Sequence, residues 1–226
     1  ADIISESVAK VLYGEVSPYS ATRLERYSAC AFAHFLQYGL KLTERAEYEF
    51  RAMDMGNIMH KVLESLIKEV NKEKLSLAEL SEEERDALAD RLVDEISADY
   101  GNTILKSSAR NEYMIQRTKR MVRRTVWAIQ KQLKSGEFEP EGVEVVFQGG
   151  RIDRVDTMET DDGKLYVRVI DYKTGNTSFD LVSLYHGLQL QLMIYMDGAL
   201  TVEQNKHKDK EVIPAGVFYY NIKDPM

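Results

Sequence analysis

The 226-residue chain is long enough for one domain with a sizeable core, and its 44% hydrophobic and 30% charged residues are those of an ordinary globular protein. No apolar run approaches the roughly 20 residues that span a bilayer, and Ala1-Asp-Ile-Ile-Ser-Glu6 lacks the basic-then-apolar layout of a secretory leader, so a cytoplasmic protein without a membrane partner is expected. The single cysteine, Cys30, excludes an intrachain disulfide framework, and a net charge of −7 weighs against nucleic acid as a partner unless the charge is polarised.

The first half reads as helical. Ser20 to Tyr38 carries Leu24, Tyr27, Ala31, Phe35 and Tyr38 at helical spacing, with Gly39 as a stop. Asp54 is placed to cap a helix running through Gly56, Ile58, Val62, Leu63, Leu66 and Val70. Ser81-Glu-Glu-Glu84 reads as a capping box opening an acidic helix. Asn111 to Leu133 is a long helix closed by Gly136, with Met114, Met121, Val122 and Ile129 on one side. From Tyr113 to Gly136 there is no acidic residue, only Arg117, Lys119, Arg120, Arg123, Arg124, Lys131 and Lys134, so the charge is indeed polarised. Arg117, Arg120 and Arg124 are therefore candidates for contacting DNA phosphates, and a solvated positive face is the plainer reading.

After residue 135 the period changes. Val143–Phe147 and Arg151–Met158 are strand candidates joined by the very short Gln148-Gly149-Gly150 junction. Thr160-Asp-Asp-Gly163 is a turn, Leu165–Thr174 a strand, Phe179–Leu200 helical, and Ala215–Asn221 a last strand ending near Pro225. A single α/β domain is expected over 1–226, mainly helical over 1–135, with a small mixed sheet flanked by helices over 136–226.

In the strand from Leu165, alternation puts Leu165, Val167, Val169, Asp171 and Lys173 on one face, so an apolar run ends in an acid and a lysine. If the preceding strand pairs with it, Asp153 and Asp171 approach one another. Two acids that close resist ionisation unless a cation lies between them, and Mg²⁺ or Mn²⁺ suits oxygen ligands. The alternative is an edge strand on which Asp153 and Asp156 pair with Arg151 and Arg154. His60 lies on a helix with a clear apolar face, where a lone histidine is more often a packing residue than a ligand. Gln191 and Tyr195, four apart, share a helix face; they orient a charged group, touch DNA or face solvent, while Gln189 points elsewhere.

Taken in order, Gly56-x-x-x-His60, Gly150-x-Ile-Asp153-Arg-x-Asp156, Ile170-Asp-Tyr-Lys-Thr-Gly175 and Gln191-x-x-x-Tyr195 resemble the RecB-like branch of the PD-(D/E)xK nucleases. That family has a restriction-endonuclease-like core. A finer likeness, carried also by Ser20–Phe35, Asp54–His60 and Val217–Pro225, is to the C-terminal nuclease domain of AddB-type helicase–nuclease subunits, and it spans Tyr19 to the C-terminus. The resemblance implies that His60, Asp153 and Asp171, with the backbone carbonyl of Tyr172, ligate Mg²⁺ (or Mn²⁺). It implies that Lys173 positions or deprotonates the attacking water, with Gln191 and Tyr195 in support. It further implies an exonuclease acting on DNA, preferentially single-stranded, alongside an AddA-type helicase–nuclease subunit in end resection and recombinational repair.

The family often carries a 4Fe–4S cluster held by one cysteine before the core and three after it. Cys30 matches the first, but Ala31 stands where proline is usual and no later cysteine exists, so this chain cannot build the cluster alone. Cys30 is then expected to be a small buried residue, and the chain a domain excised from a longer subunit. A stand-alone RecB-like or CRISPR-adaptation exonuclease shares the same motifs, and a non-catalytic DNA-binding scaffold is the reading from another class.

Overall fold

The computed structural model describes residues 5–14, 20–43, 52–99 and 109–223. Tyr19 and the Asp224-Pro225 end of the expected last motif lie outside them. The helices of the first half are α1 (Glu6–Tyr13), α2 (Ala21–Ala29), α3 (Ala31–His34), α4 (Ala52–Lys72), α5 (Glu82–Asp99) and α6 (Ala109–Lys134). They are followed by β1 (Glu139–Phe147), β2 (Gly150–Glu159), β3 (Lys164–Lys173), α7 (Leu181–Tyr185), α8 (Gln191–Lys206) and β4 (Glu211–Asn221). Among the described residues the strands form one mixed sheet in the order β1-β2-β3-β4, antiparallel except for the parallel β3–β4 pair.

Local chemistry fixes several boundaries. Ser20 Oγ accepts the Arg23 N–H and starts α2. The capping box at α5 is reciprocal: the Ser81 N–H donates to Glu84 Oε2 at 3.0 Å and the Glu84 N–H to Ser81 Oγ at 3.2 Å. The short junction between β1 and β2 is a two-residue hairpin in which Phe147 pairs with Gly150. At the next hairpin the Gly163 N–H donates to the Thr160 carbonyl.

Three expectations change. The helix from Ser20 to Tyr38 is interrupted: Cys30 is extended (φ −162°, ψ 107°), and a π-helical turn over Phe35–Gly39 follows α3. Asp54 sits inside the first turn of α4 and not before it. Phe179–Leu200 splits into α7 and α8 around Gly187, whose φ of +72° no helix permits; a Cβ there would come within 2.9 Å of Ser28 Oγ.

The sheet is covered on both faces. Ile170 and Tyr172 pack with Ile58, Met59, Val62 and Leu66 of α4 and with buried residues of α5 and α6. Val155, Val167 and Val169 pack with Tyr195, Met196 and Ala199 of α8. Between the sheet and the three-helix layer lies a buried polar knot. The Arg154 guanidinium, fully buried, donates to both oxygens of Asp156 at 2.5 and 2.6 Å and to the Tyr172 hydroxyl at 3.2 Å, while Arg168 donates to Asp156 at 2.5 Å. The Asp156–Arg154 pair of the alternative, edge-strand reading therefore exists, but in the core and not on a surface.

Candidate active site

β2 and β3 pair regularly from Glu159–Leu165 as far as Arg154–Ile170 and then part. In the gap, the Asp153 carboxylate takes the place of a strand partner: the Tyr172 N–H donates to Asp153 Oδ2 at 2.7 Å. A strand residue directs its N–H and C=O to the same edge, so the Tyr172 carbonyl faces this gap as well. α4 lies close above it because Gly56 has no side chain; a Cβ there would stand 3.2 Å from Thr174 Oγ1. One turn further along the same face, His60 Nδ1 reaches 3.4 Å from Asp153 Oδ1.

A residue that the sequence motifs do not single out completes the group. Ligand atoms of His60, Glu144 and Asp153 all lie within 4.8 Å of one another. Glu144 stands opposite Asp153 in the β1–β2 register, between the pairs Val143–Arg154 and Val145–Ile152. Its φ of +51° is rare for a residue with a side chain, so alternation along β1 does not forecast where it points. Only the acid interrupting Val143-Glu-Val-Val-Phe147 hints at it. Arg151 pairs with Glu144, and not with Asp153 as an edge strand would have it.

Asp171 and Lys173 occupy the end of β3. Asp171 is buried, and its Oδ2 forms an ion pair with Lys173 Nζ at 2.7 Å without an aligned hydrogen bond. It lies outside the tight His60–Glu144–Asp153 group but interacts electrostatically with His60 and Asp153. Lys173 Nζ also donates to Gln191 Oε1 at 2.8 Å, and Gln191 Nε2 donates to the Tyr195 hydroxyl at 2.9 Å. The shared face of α8 thus turns inward to hold the lysine. The Tyr219 ring lies 5.5 Å from the ammonium, and Glu25 of α2 accepts the Gln191 backbone N–H at 2.9 Å, securing the first residue of α8. No sequence signal marks Glu25. Gln189 is elsewhere, bracing the loop before α7 through Asp180 and Ser178.

The electrostatics are those of crowded acids. Burial, then the Asp153 charge, pushes the Asp171 carboxyl up to about 6 against the opposing pull of Lys173. Burial also raises Glu144, with Arg151 opposing. Burial disfavours the charged form of His60, but Asp153 and, further off, Asp171 and Glu144 outweigh it and raise its pKa. A buried oxygen of Glu144 and one of Asp171 lack aligned donors. Acids in this state, beside an imidazole, fit a hard divalent cation, and His60, Glu144, Asp153 and Asp171 would hold it.

The basic face of α6 is partly spoken for. Lys119 pairs with Asp94 at 2.6 Å, and Arg123 Nε donates to Asp90 at 2.6 Å, both on acidic α5. Arg120 and Arg124 are exposed, Arg120 lying 6.0 Å over the Tyr113 ring; Arg117 is half-buried. Cys30 is exposed at the break between α2 and α3, which corrects the expectation of a buried residue. One thiol does not fit a cluster that needs four.

The sequence profile of the PD-(D/E)XK nuclease superfamily matches residues 18–226. An ATP-dependent helicase/deoxyribonuclease subunit from Lachnoclostridium phytofermentans is 47% identical over 231 residues, covering 99% of this chain and 20% of the relative. Proteins of the same name from Alkaliphilus metalliredigens and Caldanaerobacter subterraneus subsp. tengcongensis are 38% and 40% identical, covering 99% and 96% of this chain and 21% and 20% of their own. The chain therefore spans about a fifth of the length of these relatives.

Proposed function

The chain belongs to the PD-(D/E)XK nuclease superfamily, and from that premise we propose that it hydrolyses DNA phosphodiester bonds with the help of Mg²⁺ or Mn²⁺. The observation that carries this reading is the Lys173 ammonium, held 2.7 Å from Asp171 and 2.8 Å from Gln191 at the end of β3, on the strand whose Tyr172 N–H binds Asp153 of the His60–Glu144–Asp153 group.

A divalent cation held there would lower the pKa of water and offset charge on the non-bridging phosphate oxygens. The remaining work falls to side chains. An ammonium has three protons; with one donated to Gln191 and one directed at Asp171, Lys173 keeps a third for the attacking water or a phosphate oxygen. Gln191 is itself fixed by Tyr195, so the lysine is presented at one position and not swept through its rotamers. His60 must be neutral to ligate.

The relatives' name, ATP-dependent helicase/deoxyribonuclease subunit, supports placing this activity within a larger helicase–nuclease subunit; we extend the proposal to action on single strands delivered by an AddA-type partner during end resection and recombinational repair. A single free thiol suits the reducing cytoplasm where that work would be done. A scaffold that binds DNA without cleaving it is the competing reading. Labelled single-stranded DNA incubated with Mg²⁺ or Mn²⁺ separates them. The expected result is cleavage that falls by about 10²-fold or more in Lys173→Ala and Asp171→Ala. Absence of cleavage by the unaltered chain, together with no metal binding in calorimetry, would favour the scaffold.

A further inference from the structure

At the opposite end of α8 from Gln191, a second group of ligand-type atoms meets. Among the described residues, Glu141, Glu203 and His207 offer ligand atoms that all lie within 4.8 Å of one another. Glu203, on the last turn of α8, is fully buried, yet one of its oxygens has no hydrogen-bond partner. The other accepts from Lys206 Nζ at 2.8 Å, and the same ammonium lies 3.5 Å from Glu141. His207 Nε2 stands 3.7 Å from the orphaned oxygen, beyond hydrogen-bond reach. A buried carboxylate with a bare oxygen is costly unless a cation meets it.

Local structure aims these groups at one another. Glu141 is the extra residue at the register shift between Pro140 and Gly142, and a bulge redirects the side chain it carries. His207 is the C-cap of α8, its N–H donating to the Glu203 carbonyl at 2.9 Å, and its own carbonyl accepts from Gln204 Nε2. The negative end of the α8 dipole falls on the same spot and favours positive charge.

We propose that Glu141, Glu203 and His207 form a second divalent-cation site, of the zinc class, that ties the start of β1 to the end of α8. One imidazole and two carboxylates, with water as the fourth ligand, make a tetrahedral zinc set, whereas Mg²⁺ prefers an octahedron of oxygens. Zinc–ligand distances of about 2.0 Å put ligand atoms about 3.3 Å apart, and the His207–Glu203 separation of 3.7 Å is already close to that. Lys206, nearly half exposed, is free to swing into solvent when the cation enters. The site is independent of the nuclease reading.

The test is calorimetric titration of Zn²⁺ into the 226-residue chain carrying His60→Ala and Asp153→Asn, which disables the other cluster. One equivalent should still bind and should raise the melting temperature. Adding His207→Ala or Glu141→Gln, both partly exposed and checked for folding by circular dichroism, should weaken that equivalent about tenfold or more and abolish the thermal shift. Failure of the double variant to bind zinc, or binding indifferent to His207→Ala and Glu141→Gln, would overturn the proposal.

Discussion

Asp171 is the residue on which the charge balance of the candidate site turns. Its carboxyl, raised from 3.8 to about 6 by burial and by Asp153, holds a proton in the folded chain that the unfolded chain has already released. The metal-free protein therefore loses stability as pH rises between those values. His60 acts in the same direction: its raised pKa contributes stability below the ordinary histidine value of 6.5 that is lost as pH climbs through the folded pKa. The melting temperature of the metal-free chain should fall from about pH 4 to pH 7 more steeply than that of Asp171→Asn, by the equivalent of roughly 1–3 kcal/mol. Equal slopes in the two proteins would show that Asp171 is not strained. At this scale much of the site was readable, because period-two alternation alone sets Asp171 and Lys173 on one face. Glu144 was not readable, since its left-handed backbone breaks the alternation that would have located it.

Among the elements, β2 and β3 do two jobs at once. Their outer ends part to make the gap around Asp153, and their middles carry the Arg154–Asp156–Arg168–Tyr172 knot that fixes how they lie. Removing one partner of a buried charge pair leaves the other uncompensated, so Asp156→Ala should cost about 3–5 kcal/mol in denaturant unfolding. A loss below about 1 kcal/mol would mean that the knot is well hydrated. The strands and the long helices were legible as periods. The breaks at Cys30 and Gly187 were not, because each is decided by contacts distant in sequence: Gly187 must clear Ser28, and α2 must bring Glu25 to the first residue of α8. Helical spacing carries straight through both interruptions.

For the whole molecule, the sheet between two helical layers brings together groups from α4, β1, β2, β3 and α8 that are as far apart in sequence as His60 and Tyr195. Its charge is also organised at this scale. Acidic α5 neutralises Lys119 and Arg123 of α6, leaving Arg120 and Arg124 exposed. The seven basic residues legible in the sequence are thus unequal as candidates for contacting DNA, a distinction only packing supplies. Arg120→Ala/Arg124→Ala should weaken single-stranded DNA binding and flatten its salt dependence by about 0.7 per lost phosphate contact, whereas Arg123→Ala should change either little. Equal effects from all three positions would place the DNA elsewhere.

The hydrolysis proposed above would depend on a cation shared by His60, Asp153 and their acidic neighbours. Crystals soaked in Mn²⁺ and measured for anomalous scattering test this directly. The expected result is a peak with ligand distances of about 2.0–2.2 Å to His60 and Asp153 and to Glu144 or Asp171, and no such peak in Asp153→Asn crystals. A peak away from these residues, or full occupancy in that variant, would contradict it.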